Sequence, residues 1–144
     1  MTNENTEKLT RLAIEAENAF KAGDLKTAKA NAMDIYLALY ANFEEEKASK
    51  LAENEKSIEC LASLSPSFAP RLKEAREHKA NLLKEVYKPS TYYWEDKPGY
   101  RVTVLYISDS CLVIDRQGKK ITRMICNQSD IMSEIIHETE GILE

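Results

Sequence analysis

Glycine is scarce in this sequence, with four residues in a chain of 144. Each falls where a turn or a helix end is expected. That leaves no Gly-rich loop to cradle a phosphate and no Gly-x-Ser-x-Gly turn to present a serine nucleophile. Histidine is scarcer still, with two residues. His78 lies in the charge-crowded stretch EAREHKAN and reads as a solvated side chain. His137 opens HETEG, where Gly141 stands at the place of the second ligand in a His-Glu-x-x-His zinc helix. The carboxylates near it alternate around the helix, so three or four ligands do not converge and no metal site is expected.

The three cysteines, Cys60, Cys111 and Cys126, are odd in number and form no Cys-x-x-Cys pair. This argues against a disulfide framework or a zinc ribbon and for buried free thiols. Long hydrophobic runs are missing too: no window approaches the roughly 18 apolar residues needed to span a bilayer. The opening MTNENTEKLTRL lacks the apolar core of a secretion signal. A cytoplasmic location with no membrane partner is therefore expected.

What is present is charge: 20 Lys and Arg against 24 Asp and Glu, a net of −4. That balance disfavours a general nucleic-acid coat but permits a local basic patch. The length suits one ordinary domain, or a helical part sharing its core with a small β appendage.

Leu9, Leu12, Ala13, Ala16, Ala19 and Phe20 recur at three and four, the spacing of one buried helix face over residues 6–22. Gly23 ends that helix and Asp24 caps the next. The second helix carries Ala28, Ala32, Ile35 and Leu39 on one stripe and Met33, Tyr36, Tyr40 and Phe43 on a neighbouring one, so a wide buried face is expected. EEEKASK, residues 44–50, holds no Gly or Pro, and the helix is expected to run through it beyond thirty residues. SLSPSFAP stops it. A third helix follows from about Pro70 to Tyr87, with Leu72, Ala75, Leu82, Leu83 and Val86 inward.

Residues 16–36, AENAFKAGDLKTAKANAMDIY, resemble one tetratricopeptide-type hairpin, with Ala16, Phe20, Gly23, Asp24, Ala28 and Ala32 at its packing positions. Similar hairpins occur in three-helix domains of the microtubule-interacting-and-transport type. The resemblance covers about one seventh of the chain and has no second copy at a period near 34. It implies peptide or protein binding in a helical groove; an ordinary Ala-rich hairpin accounts for the same residues.

After residues 88–99, read as a linker or an extended first strand with Tyr92, Tyr93 and Trp94 as its feature, the pattern changes to alternation. YRVTVLYIS, CLVIDR and ITRMIC are expected as three strands joined by turns at Asp109-Ser110 and Gly118. Both faces of the central strands are apolar, so each face needs a cover. The YYW segment and a last helix, capped by Asn127 or Ser129 and presenting Ile131, Met132, Ile135, Ile136, Ile142 and Leu143, are the candidates. The expected fold is α+β: a three-helix antiparallel arrangement with a long central helix over residues 1–88, then residues 89–144 as a small three-stranded antiparallel meander, SH3-like or an open barrel, with a C-terminal helix, the two parts packed as one unit.

Residues 97–123 carry six positive and two negative side chains, while residues 124–144 carry five negative and no Lys or Arg. The meander and the acidic tail are thus self-complementary, within one chain or between two, and a homodimer is one expected assembly. Alternatively, Arg101, Arg116, Lys119, Lys120 and Arg123 with Tyr92, Tyr93 and Trp94 form a basic aromatic surface suited to phosphate backbones and stacked bases. No catalytic residue and no cofactor is indicated. The leading expectation is a non-enzymatic protein-interaction module: an adaptor, a chaperone-like factor, or an inhibitor of the immunity or anti-defence kind. Nucleic-acid binding is the alternative, and a small enzyme with a site assembled from distant residues is a third.

Overall fold

A computed structural model describes residues 1–128, 136 and 139–144. The elements in chain order are α1 (Asn3–Lys21), α2 (Leu25–Ala62), a 3-10 turn (Pro66–Phe68), α3 (Ala69–Lys84), β1 (Ser90–Tyr93), β2 (Tyr100–Tyr106), β3 (Ser110–Gln117), β4 (Lys120–Gln128) and β5 (Ile142–Leu143). The chain is α+β. It divides into two compact units, residues 1–39 with 88–144, and residues 40–87.

Local chemistry sets the helix ends. Thr2 caps α1, its hydroxyl accepting from the Asn5 N–H at 3.2 Å. At the other end Gly23, with φ +80°, takes the left-handed conformation that a side chain disfavours, and the Asp24 N–H returns to the Ala19 carbonyl. The Asp24 carboxylate then accepts from the Thr27 N–H at 3.1 Å and starts α2. Leu9, Ala13 and Ala16 of α1 and Ala28, Ala32, Ile35 and Leu39 of α2 are buried, each set spaced by three or four as one helix face requires.

The second apolar stripe of α2 behaves differently from the expectation. Met33 is 55% exposed and Tyr40 is 42% exposed, while Tyr36 and Phe43 are half-buried, so the second stripe is only partly covered. The helix itself runs unbroken for 38 residues, through Glu44–Lys50.

In the first unit five antiparallel strands take the order β4-β3-β2-β1-β5. The expected three-stranded meander, β2 to β4, is thus extended by two strands, and the linear order makes an open sheet rather than an SH3-like barrel. Of the YYW segment only Trp94 packs as a cover, on the valine-lined face; Tyr92 and Tyr93 are part of β1, paired with Val102 and Arg101. Pro89 biases the chain toward extended backbone just before this strand. Ile142 and Leu143, expected on a helix, form β5 opposite Tyr93 and Tyr92. The rest of the expected C-terminal helix lies outside the described residues apart from Ile136, which is helical and buried.

Residues directly opposite one another share a face, and the register therefore separates two layers. Tyr92, Val102, Val104, Cys111 and Val113 lie on one face with Trp94 and Ile136 packed among them. Val102, Val104 and Val113 are at most 1% exposed, each contributing about 1.5–3 kcal/mol relative to an exposed valine. Leu105, Leu112 and Met124 lie on the opposite face, which α1 approaches: Thr10 and Ser110 share a hydrogen bond at 3.0 Å, and the Glu17 carboxylate accepts from the Cys126 N–H at 2.9 Å.

The second unit joins the later turns of α2 to α3. Asn54 Nδ2 donates to the Ala75 carbonyl at 3.1 Å, and Lys47 Nζ donates to the carbonyls of Leu83 and Glu85 at the end of α3. Leu82 is buried, but Leu83 and Val86, expected inward, are 57% and 61% exposed.

Candidate functional site

The eight residues of the expected basic aromatic surface are divided by the sheet. Tyr92 and Trp94 are buried on the valine-lined face, where Trp94 Nε1 donates to the Thr139 carbonyl at 2.9 Å. Arg123 joins that side through Asp115. Both its Nε and its Nη2 lie 2.7 Å from Asp115 Oδ2, which also accepts from the Tyr100 hydroxyl at 3.1 Å. Burial, with the Asp115 charge beside it, pushes the Tyr100 phenol up, so it remains a donor.

Tyr93, Arg101 and Arg116 are on the other face, in one row across β1, β2 and β3 that Ile121 continues on β4. Arg101 stacks over Tyr93 at 5.4 Å and pairs with Glu144 at 2.6 Å. Lys119 and Lys120 stand exposed at the β3–β4 turn. The structure thus brings together Tyr93, Arg101 and Arg116, with the turn lysines following in the chain, and separates them from Tyr92, Trp94 and Arg123.

The preceding row on that face reads Thr91, Thr103, Ile114 and Met124. Thr103, Ile114 and Met124 of this row, together with Leu105 and Ile121, floor a groove of about 310 Å³, near the lower end of the range for ligand cavities. Ala32, Met33 and Tyr36 of α2 form its wall, Lys29 stands on that wall one turn earlier, and Pro89 also lines it. The Thr103 hydroxyl is engaged with that of Thr91 at 3.2 Å. Among the described residues the lining contains one cation and no carboxylate. Among the described residues, neither Lys29 nor Arg116 has a carboxylate within ion-pair distance.

None of the groove residues belongs to the surface expected from sequence. Their signal was present in two places: the second apolar stripe on α2, and strands apolar on both faces. Each pattern is equally that of a core.

Outside the groove the reactive groups are spread apart. Cys111 is buried on the valine-lined face, and burial pushes its thiol up to about 11. Cys126 lies on the opposite face, opposite Leu112, with its thiol raised by burial and by Glu17. Cys60, expected to be buried, is exposed. His78 is exposed and His137 lies outside the described residues. Among the described residues no three His, Cys, Asp or Glu side chains are grouped to hold a metal, and no helix is long and apolar enough to cross a membrane. No known family model matches the chain, and no characterised protein or solved structure matches it.

Proposed function

We propose that this chain is a non-enzymatic protein-interaction module, an adaptor or inhibitor, whose contact surface is the groove between α2 and the sheet. The observation that carries this reading is Met33, 55% exposed beside a carbon-lined trough. A lone exposed methionine is ordinary, but this one lines a groove with half-buried Ile114 and Ile121, which gives a partner an apolar contact larger than one side chain. Methionine also repacks readily against varied partners. The resemblance of residues 16–36 to a peptide-binding helical hairpin points the same way.

The test is site-specific photo-crosslinking in the cells that express the protein, with benzoylphenylalanine at Met33 and, as a control, at Ile14, which is exposed on α1. A discrete protein adduct at Met33 that survives nuclease and is missing at Ile14 is expected. An adduct lost to nuclease would replace this reading with nucleic-acid binding, and equal labelling at both positions would remove the groove.

A further inference from the structure

We infer that the segment seated in the groove is an amphipathic helix whose apolar face is bordered by carboxylates. This rests on the protein-binding reading above and adds the chemistry of the partner.

The first argument concerns backbone hydrogen bonds. The floor is a sheet face, and the strands at its centre, β2 and β3, are each paired on both sides. Their N–H and C=O groups are spent in the ladders, so the groove offers nothing for an extended strand to add to. Strand addition at β4, the edge nearest α1, is hindered as well, because the Glu17 carboxylate already takes the Cys126 N–H. A peptide entering the groove must satisfy its own backbone, and a helix does so internally.

The second argument is charge. Lys29 stands on the wall, Arg116 lies outside the lining but opposite the floor residue Ile121 in the β3–β4 register, and among the described residues the lining holds no carboxylate. Arg101, opposite Arg116, is already paired with Glu144, which leaves Lys29 and Arg116, without an ion-pair partner among the described residues, as the two cations to be matched. Acidic residues flanking an apolar stripe would meet them, while a basic helix would be repelled.

Three fluorescein-labelled peptides of about 18 residues would be titrated into the full chain by anisotropy: one with leucines at i, i+3, i+4 and i+7 flanked by Glu, its Lys-flanked counterpart, and a Glu-flanked version with a central proline. The Glu-flanked helix is expected to bind roughly ten-fold or more tighter than the Lys-flanked one at low salt, with the difference shrinking as salt rises. The proline version should lose binding. Met33→Asp, at an exposed position, should abolish it without changing the melting temperature. Lys29→Glu with Arg116→Glu should reverse the flank preference.

A preference unmoved by the charge reversal, or equal binding of the proline peptide, would overturn the inference. So would saturable binding of sodium dodecanoate in place of any peptide. A Met33 crosslink to protein with no peptide binding would sink the acidic helix alone, whereas no crosslink would sink the protein-binding reading itself.

Discussion

Asp115 and Arg123 face each other across β3 and β4, and the guanidinium places both Nε and Nη2 at 2.7 Å from one carboxylate oxygen. The pair sits beside a register shift at Asp115/Arg116, a bulge that leaves Thr122 to donate to the Asp115 carbonyl at 3.3 Å. Asp115 Oδ1 is buried with no hydrogen-bond partner among the described residues. Removing the guanidinium leaves a buried charge with one neutral donor, Tyr100.

Arg123→Ala is therefore expected to destabilise the fold by about 1–3 kcal/mol, less than for a fully buried pair because the arginine side chain is 49% exposed. Chemical denaturation of Arg123→Ala, Asp115→Ala and the double variant checks it. The double variant should cost less than the sum of the singles, and strict additivity would show that the two residues do not act together.

The acid limb of stability should depend on Glu17. Its hydrogen bond to Lys21, aided by the one from the Cys126 N–H and opposed by burial, holds its carboxyl below the usual value. A folded-state value below the unfolded one means that the stabilisation is complete above the unfolded value and is lost as pH falls through the folded one. Urea midpoints measured from pH 7 down to pH 3 should fall less steeply for Glu17→Gln than for the parent chain. Parallel profiles would assign the acid loss to other carboxylates.

Gly141 lies against Trp94 and Ile136: a Cβ there would stand 2.9 Å from Trp94 Cζ2 and 2.9 Å from Ile136 Cγ2. Gly141→Ala should therefore shift the indole or displace the segment leading to β5, at a cost of about 1–3 kcal/mol. Trp94 is the only tryptophan, so its fluorescence reports the change directly. An unchanged emission maximum and midpoint would show that the contact yields without cost.

Asn54 occupies an otherwise apolar stripe with Leu51, Ile58 and Leu61. It is 8% exposed, and its Oδ1 is buried without a hydrogen-bond partner among the described residues. Asn54→Leu removes that orphan acceptor, and the Ala75 carbonyl loses one donor. The substitution should be neutral or stabilising by up to about 2 kcal/mol. A clear fall in melting temperature would mean that the amide is needed for the pairing of α2 with α3.

The thiols should separate by reactivity. At pH 8 iodoacetamide is expected to modify exposed Cys60 first and to leave Cys111 untouched until the chain is unfolded, since burial holds that thiol near 11. Mass mapping of alkylated peptides reads the order, and early labelling of Cys111 would contradict the sheet burial described above. No disulfide should join Cys111 to Cys126, which lie on opposite faces.

The helices were legible because a three-and-four spacing with Gly23, Asp24 and the prolines as stops is a local signal, and so were β2 to β4 from their alternation. β1 was only half legible, since a four-residue strand following Pro89 reads equally as a linker. β5 was hidden, because two apolar residues after Gly141 continue a helical pattern as naturally as they form a strand. The basic surface was read as one patch since its residues are close in sequence, but neighbours on a strand point to opposite faces.

The amino-acid order alone therefore determined the stop of α1 at Gly23, the start of α2 after Asp24, and which residues share a stripe or a strand face, whereas α3 ends at Lys84 rather than Tyr87. The folded chain decided which stripes receive a cover. Ala28, Ala32, Ile35 and Leu39 are buried and Met33 is left open, although both stripes are apolar. It also decided that Arg101 pairs with Glu144 and Arg123 with Asp115, while among the described residues Lys29 and Arg116 have no ion-pair partner. Periodicity fixes the direction of a side chain relative to its own helix or strand. What stands opposite depends on contacts between distant segments, such as β1 with β5, whose burial and pairing energies no local pattern contains.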